Sequence, residues 1–531
     1  MTRIRTIAAR YALVLGILAS TGRAVASPEA EIRESPGASI VQAELHASAM
    51  EAMNLLYRGR VEEALAAAER MASRAPNDPL PYLIQARVLR DFVSDQNWKR
   101  ESLKPQNEPI HAVLETATEL ATEMLERDPD SVTAYLYRGW AHMFRGQLHA
   151  LAFENWSAGG KARAGKSDLD RVVAADPDDP NAKMILGTYL YFADTLPAAL
   201  KFAQFLLRIP RGDGPRGLEL LETAGSRESY LRDDARGMFG GALFGFEGRL
   251  EDGLDVFEGL LADYPHNVRL AEPIAVMDFF FPERLARDLP RIQDVVSHNL
   301  VAGDSVMSGV ASRVRLYESL ALLATGHVDE GYAALGALHE RLPAEPDWLE
   351  ADVTILLAEF ALMAGDRDRA LALHESADPE WKERLEFVNG PGAAATESEV
   401  EQWRDLAGAA RHLYAGHLGE ARRELDRYED EESPLIAFYR GELAFVAGRG
   451  AEALEHYAPL VENDARSRFR FLEFLATVRT AEILGWRGDA SEAASLLTEA
   501  VDDYPVKDLL RHVTKARARF FENGRPGAPE S

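Results

Sequence analysis

One turn, repeated, constrains this 531-residue chain more than any other feature. A glycine is followed by three variable residues, an often acidic residue, and then Ala or Gly. The pattern occurs at Gly59 (GRVEEA), Gly248 (GRLEDG), Gly326 (GHVDEG), Gly365 (GDRDRA), Gly416 (GHLGEA), Gly448 (GRGAEA) and Gly488 (GDASEA). Five places after each glycine stands a small residue: Ala64, Gly253, Gly331, Ala370, Ala421, Ala453 and Ala493. Seven places before it stands another: Ala52, Gly241, Ser319, Ala358, Ala409, Gly441 and Ala481. Proline follows seventeen places on at Pro76, Pro265, Pro343 and Pro505, and Pro434 misses by one. Each position has a physical role in a helix pair. The glycine takes the left-handed conformation that ends a first helix, A. The two small residues let A and its successor B approach where they cross. Proline then stops B. The flanks agree: in VTILLAEFAL, Val353, Leu356, Leu357 and Phe360 share one helical face. A chain this long exceeds one ordinary core, and stacked pairs grow without needing a larger one.

These linked positions resemble the tetratricopeptide repeat, a helix pair of about 34 residues. The spacing is uneven, 32 residues from Gly416 to Gly448 and 51 from Gly365 to Gly416, so the repeats are degenerate and carry insertions. Residues 131–146 form a further helix A, with Gly139 seven before Gly146. The expected fold is an all-α superhelical solenoid of degenerate tetratricopeptide-like helix pairs. A narrower resemblance covers residues 182–247, through Tyr189, Tyr191, Pro197, Gly212, Asp213 and Gly217. This segment is similar to bacterial relatives of the mitochondrial outer-membrane inclusion-body clearance protein family. The resemblance implies a helical scaffold without catalysis and carries over no ligand.

Residues 1–26 combine Arg3, Arg5 and Arg10, an apolar run from Tyr11 to Ala19, and Ala24-Val25-Ala26. These are the three parts of a Sec-type signal peptide, and the run is too short to span a bilayer. The expected protein is exported, to the periplasm or cell envelope. Residues 27–42 read as a flexible leader, 43–388 as an N-terminal array, 389–397 (NGPGAAATE) as a linker, 398–521 as a C-terminal array with a capping helix, and 522–531 as a disordered tail.

Composition limits the chemistry. Cysteine is absent, which removes disulfides, thiolate metal sites and thiol nucleophiles. The net charge is −27, unsuited to nucleic acid, which asks for a basic surface. Gly160 to Ser167 (GKARAGKS) fits the phosphate-binding loop pattern, but no β-branched strand precedes it, and a small-residue helix or loop is expected. Gly303-Asp304-Ser305 lacks the full nucleophile-elbow pattern. Asp176, Asp178 and Asp179 lie among prolines and read as helix caps. His142 and His149 flank a turn without metal-ligand spacing, so neither a metal nor a cofactor is expected.

Two features point to partners. The residue two before the turn glycine is aromatic at Phe144, Phe246, Tyr414 and Trp486, where rings either anchor a peptide or fill the inter-helix core. The last helix carries Lys507, Arg511, Lys515, Arg517 and Arg519 in an acidic protein, so peripheral contact with an anionic membrane or partner is an alternative to a solvated cap. The reading is a non-enzymatic exported scaffold that binds another protein or peptide segment. The alternative is a periplasmic ligand-binding accessory subunit of a transport system.

Overall fold

The computed structural model describes residues 36–96, 100–152, 154–195, 211–301, 305–341, 347–390, 394–428, 433–462, 470–503 and 509–523. The signal-peptide stretch 1–26, leader residues 27–35, Pro197, linker residues 391–393 and tail residues 524–531 lie outside that set. The fold is all-α, a solenoid of degenerate helix pairs, and no strand occurs among the described residues. The chain divides into two compact units.

The first unit holds the described residues up to Phe246, with Asp255–Leu270 and residues 305–307. Its helices are α1 (Pro36–Tyr57), α2 (Val61–Arg74), α3 (Pro79–Gln96), α4 (Arg100–Arg127), α5 (Val132–Leu151), α6 (Asn155–Ala175), α7 (Pro180–Asp194), α8 (Gly214–Gly225) and α9 (Arg232–Ala242). Most of α10 (Leu250–Asp263) and the start of α11 (Val268–Met277) belong to it as well. Successive helices pack as pairs, α1 with α2, α5 with α6 and α7 with α8. Helix α1 starts at Pro36, inside the stretch expected to be a loose leader. Past that stretch, Leu45, Ala49, Met53 and Leu56 of the same helix are buried.

The second unit holds Glu247–Leu254, residues 271–301 and the described residues from 308 onward. It contains α12 (Pro282–Val301), α13 (Ser305–Ala324), α14 (Val328–Arg341), α15 (Asp347–Met363), α16 (Arg367–Ser376), the short α17 (Pro379–Lys382), α18 (Glu397–Tyr414), α19 (Leu418–Leu425), α20 (Pro434–Val446), α21 (Gly450–Val461), α22 (Arg470–Arg487), α23 (Ala490–Asp503) and α24 (Leu509–Glu522). The unit continues through the expected linker. Ala395 N–H donates to Leu362 O at 2.8 Å, and Thr396 and Glu399 form a reciprocal cap on α18. Backbone and cap bonds thus tie this stretch to α15 and α18.

All seven turn glycines, and no other described glycine, have positive φ, from 68° to 97°. At six of them the next N–H reaches the carbonyl five residues back. These are Arg60 to Leu55, His327 to Leu322, Asp366 to Ala361, His417 to His412, Arg449 to Ala444 and Asp489 to Leu484, at 2.8–3.0 Å. This closes the helix end as a Schellman motif. Gly248 instead follows a π-helical turn, Leu243–Glu247. The small pairs also meet: a Cβ on Gly331 would lie 2.9 Å from the Ser319 carbonyl oxygen.

The turns differ in how much room surrounds them. A Cβ on Gly416 would meet nothing within 4 Å, whereas one on Gly326 would collide with the Ala407 carbonyl and approach Ala410 to 2.9 Å. Gly416→Ala therefore carries only the left-handed strain, about 1–2 kcal/mol. Gly326→Ala adds overpacking of about 1–3 kcal/mol. Denaturant midpoints of the two variants should rank in that order, and equal midpoints would contradict the packing described.

Candidate functional site

Of the four aromatics read as either peptide anchors or inter-helix core, three lie in the core. Phe144, Phe246 and Tyr414 are buried. The Phe246 ring meets Tyr191 and Phe192 edge-on, with centroids 6.1 and 5.3 Å away. The Tyr414 hydroxyl donates to Glu442 Oε2 at 2.6 Å. Near the end of helix A, the Phe246 and Tyr414 rings face a neighbouring pair instead of solvent. Trp486 is 38% exposed and lies 5.1 Å from the Arg517 guanidinium. The most exposed large apolar side chain among the described residues is Trp156, at 78%.

The 182–247 segment is built for close packing. Tyr191 is buried and its hydroxyl donates to Ala242 O at 3.4 Å, while Tyr189 is half-buried. Asp213 N–H donates to Leu190 O at 3.0 Å, and the Asp213 carboxylate caps α8 by accepting from Arg216 N–H at 3.1 Å. Gly212 and Gly217 bring α8 against α7: a Cβ on Gly212 would collide with Asp194 N, and one on Gly217 would lie 2.5 Å from Tyr191 N. Backbone cannot yield as a flexible side chain does. Gly217→Ala should destabilise the first unit by about 1–3 kcal/mol. Gly160→Ala, in open space within α6, should stabilise it by roughly 0.5–1 kcal/mol. Thermal melts of both variants check the contrast.

The phosphate-loop match at 160–167 lies wholly within α6, so no loop exists there to curl around a phosphate. Lys166 pairs with Asp170 at 2.8 Å. Asp179 caps α7, accepting from Ala182 N–H at 2.7 Å. Burial, followed by Lys161, pushes His142 down to about 4. His149 Nδ1 lies 2.7 Å from Glu154 Oε2. No group of three or more metal-ligating side chains occurs among the described residues. Gly303 and Asp304 lie outside those residues.

The basic last helix does not present its charges as one face. Arg517 is fully buried, bound to Glu482 through two bonds of 2.8 and 2.7 Å and to Gly248 O at 3.0 Å. Arg511 and Lys515 are half-buried, Arg519 is exposed and Lys507 lies outside the described residues. A continuous basic stripe, as the alternative of membrane contact would use, is thus broken by an arginine that serves the core.

What the sequence reading missed is a buried charge relay. In three units the residue after the small one in helix A is glutamate: Glu359, Glu442 and Glu482, each six before its turn glycine. All three are buried. Glu442 Oε1 accepts from Arg479 Nε at 3.1 Å and from the Tyr457 hydroxyl at 2.7 Å. Glu482 binds Arg517. In both cases the arginine lies on the next helix of type A or the capping helix, 37 and 35 residues on. Arg479 also donates to the Phe279 carbonyl. Glu359 lacks such an arginine contact and accepts instead from Phe471 N–H, at the start of α22, at 2.8 Å. Burial pushes it up to about 8. The visible signal was an acid within an otherwise apolar helix.

The first unit has its own network. Arg87 grips both oxygens of Asp234 at 2.8–3.2 Å and donates to Asp91 at 2.7 Å, while Arg269 reaches Asp91 at 3.1 Å. Asn267 donates to Tyr57 O at 2.7 Å. These groups join α3, α9 and the start of α11 from inside.

Residues 406–468 match the tetratricopeptide repeat family model. That stretch contains Gly416, Gly448 and Glu442. No curated protein matches the chain. Among solved structures, the chain is similar to the human IFIT1 dimer with PPP-AAAA at 14% identity, covering 79% of this chain and 91% of that one, with a TM-score of 0.28. It is similar to the P58(IPK) TPR domain at 12% identity, covering 83% and 99%, with a TM-score of 0.22. It is also similar to yeast Tom70 at 12% identity, covering 92% and 96%, with a TM-score of 0.18.

Proposed function

We propose that this chain is an exported, non-enzymatic scaffold that holds another protein in the cell envelope. The observation that carries the reading is the recurrent glycine-turn helix pair, part of which matches the tetratricopeptide repeat model. Two further features support it. The relay glutamates Glu442 and Glu482 are engaged with arginines, an arrangement that serves packing. The sequence of residues 1–26 supports export. The exposed rings Trp156 and Trp486 are the first contacts to test.

The test is affinity capture from solubilised envelope with residues 27–531 as bait, beside a Trp156→Ala/Trp486→Ala bait of equal helicity. A stoichiometric protein partner retained by the wild type supports the scaffold, and its loss from the variant locates the contact. A small molecule co-purifying in place of any protein contradicts it. Export is tested separately by fractionating cells and sequencing the N-terminus. A start at Ser27 in the envelope fraction agrees, and an intact Met1 in the cytosol overturns that part.

A further inference from the structure

Buried polar atoms without a hydrogen-bond partner gather in one part of the first unit. Among the described residues they include His111 Nδ1 on α4, and His142 Nδ1 and Arg145 Nε on α5. Two contacts set the register of these helices. The His111 and His149 rings lie 4.7 Å apart with planes at 32°, and Arg145 meets Glu115 at 3.5 Å. Beside His111 on α4, Ile110 and Leu114 are buried. His142 faces the other neighbour, α6. A Cβ on Gly139 would lie 3.3 Å from Asp168 Cβ, and one on Gly146 would lie 3.5 Å from Lys161 Cβ. His142 shares that face, since it stands between these glycines at helical spacing. Helix α5 thus has a histidine contact on each side.

A protonated imidazole donates from both nitrogens, and among the described residues neither Nδ1 has an acceptor. The charged and titratable groups acting on His111 are His149 and Arg145 from α5, Glu154 at the entry to α6, and Glu115 from its own helix. Those acting on His142 are Lys161 and Asp168 from α6, with Arg138 and Arg145 from its own helix. The acids in this set are engaged elsewhere. Glu154 lies 2.7 Å from His149 Nδ1, Glu115 pairs with Arg145, and Asp168 binds Arg138 through two bonds of 2.8 Å. Burial pushes both imidazoles down to about 4, aided by His149 and Arg145 at His111 and by Lys161 at His142.

We propose that α4, α5 and α6 form an acid-opened joint, in which protonation of His111 and His142 loosens α4 and α6 from α5. Each added charge is buried in the closed packing and meets a cation already in place, Arg145 at one histidine and Lys161 at the other. Opening hydrates both imidazolium groups and removes that cost. A histidine whose folded-state pKa lies below the ordinary 6.5 contributes full stability above 6.5 and loses it as pH falls toward about 4. The joint is therefore closed at pH 7 and weakened at pH 5. It needs no partner protein to act.

Amide hydrogen exchange of residues 27–531 at pH 7 and pH 5, each corrected for the intrinsic exchange rates, tests the joint. On acidification, protection in α4, α5 and α6 should fall by about tenfold or more relative to α7 and α8 of the same unit. His111→Gln/His142→Gln keeps two polar side chains that take up no proton, and it should lose that relative fall. If the double variant melts early at pH 7, His111→Gln and His142→Gln singly should each keep part of it. A wild-type fall no larger than that of α7 and α8, or an undiminished fall in the folded variants, overturns the proposal.

Discussion

Replacing Arg479 with leucine is expected to cost the second unit about 3–5 kcal/mol at neutral pH, the range for breaking one side of a buried ion pair. Arg479 and Glu442 are both fully buried and bonded to each other. Without the guanidinium, Glu442 keeps the Tyr414 and Tyr457 hydroxyls but faces no opposite charge. The Phe279 carbonyl loses a donor as well, worth roughly another 1 kcal/mol. Glu442→Leu/Arg479→Leu, which removes both charges, should recover part of the loss. Denaturant unfolding of the single and double variants at neutral pH measures each quantity. A deficit below about 1 kcal/mol, the scale of an exposed pair, would contradict the burial described.

The second large effect has the opposite sign. Glu359 is buried, holds one oxygen on Phe471 N–H, and has no donor on the other among the described residues. Its pKa is raised from 4.5 to about 8, with burial the largest cause and Arg470 opposing it. The folded state therefore keeps a proton that the unfolded chain releases. Stability from this group is complete below pH 4.5, falls as pH rises, and levels off above about 8. At about 1.4 kcal/mol per unit, the span corresponds to roughly 5 kcal/mol. Glu359→Gln keeps an acceptor for Phe471 and removes the ionisation. Its melting temperature should match the wild type near pH 4.5 and exceed it at pH 8. A variant less stable than the wild type at pH 8 would show that the ionised carboxylate is a favourable cap on α22.

The sequence showed the helix pairs clearly, and the reason is local. Only glycine enters the left-handed region cheaply, so Gly59 and its six equivalents had to be visible. The small residues around them record contacts within one pair, such as Ser319 against Gly331. The choice between groove and core for Phe144, Phe246, Tyr414 and Trp486 stayed open in the sequence, because position within helix A does not say which side the next pair covers. The relay was harder still. Glu442 and Arg479 are 37 residues apart, and Arg87 and Asp234 are 147 apart. No local pattern records such a pairing, although an acid inside FYRGELAFV or LLAEFAL marks a side chain in need of a buried partner.

The central claim is that stacked helix pairs are joined through buried charges on their A helices, as Glu442 and Arg479 join α20 to α22. Amide hydrogen exchange of residues 27–531, wild type beside Arg479→Leu, tests this most directly. The account predicts slow exchange around Glu442 and Arg479 in the wild type, and a concerted loss of protection across α18, α20 and α22 in the variant. Loss confined to the turn around residue 479, with α18 and α20 protected as before, would contradict it.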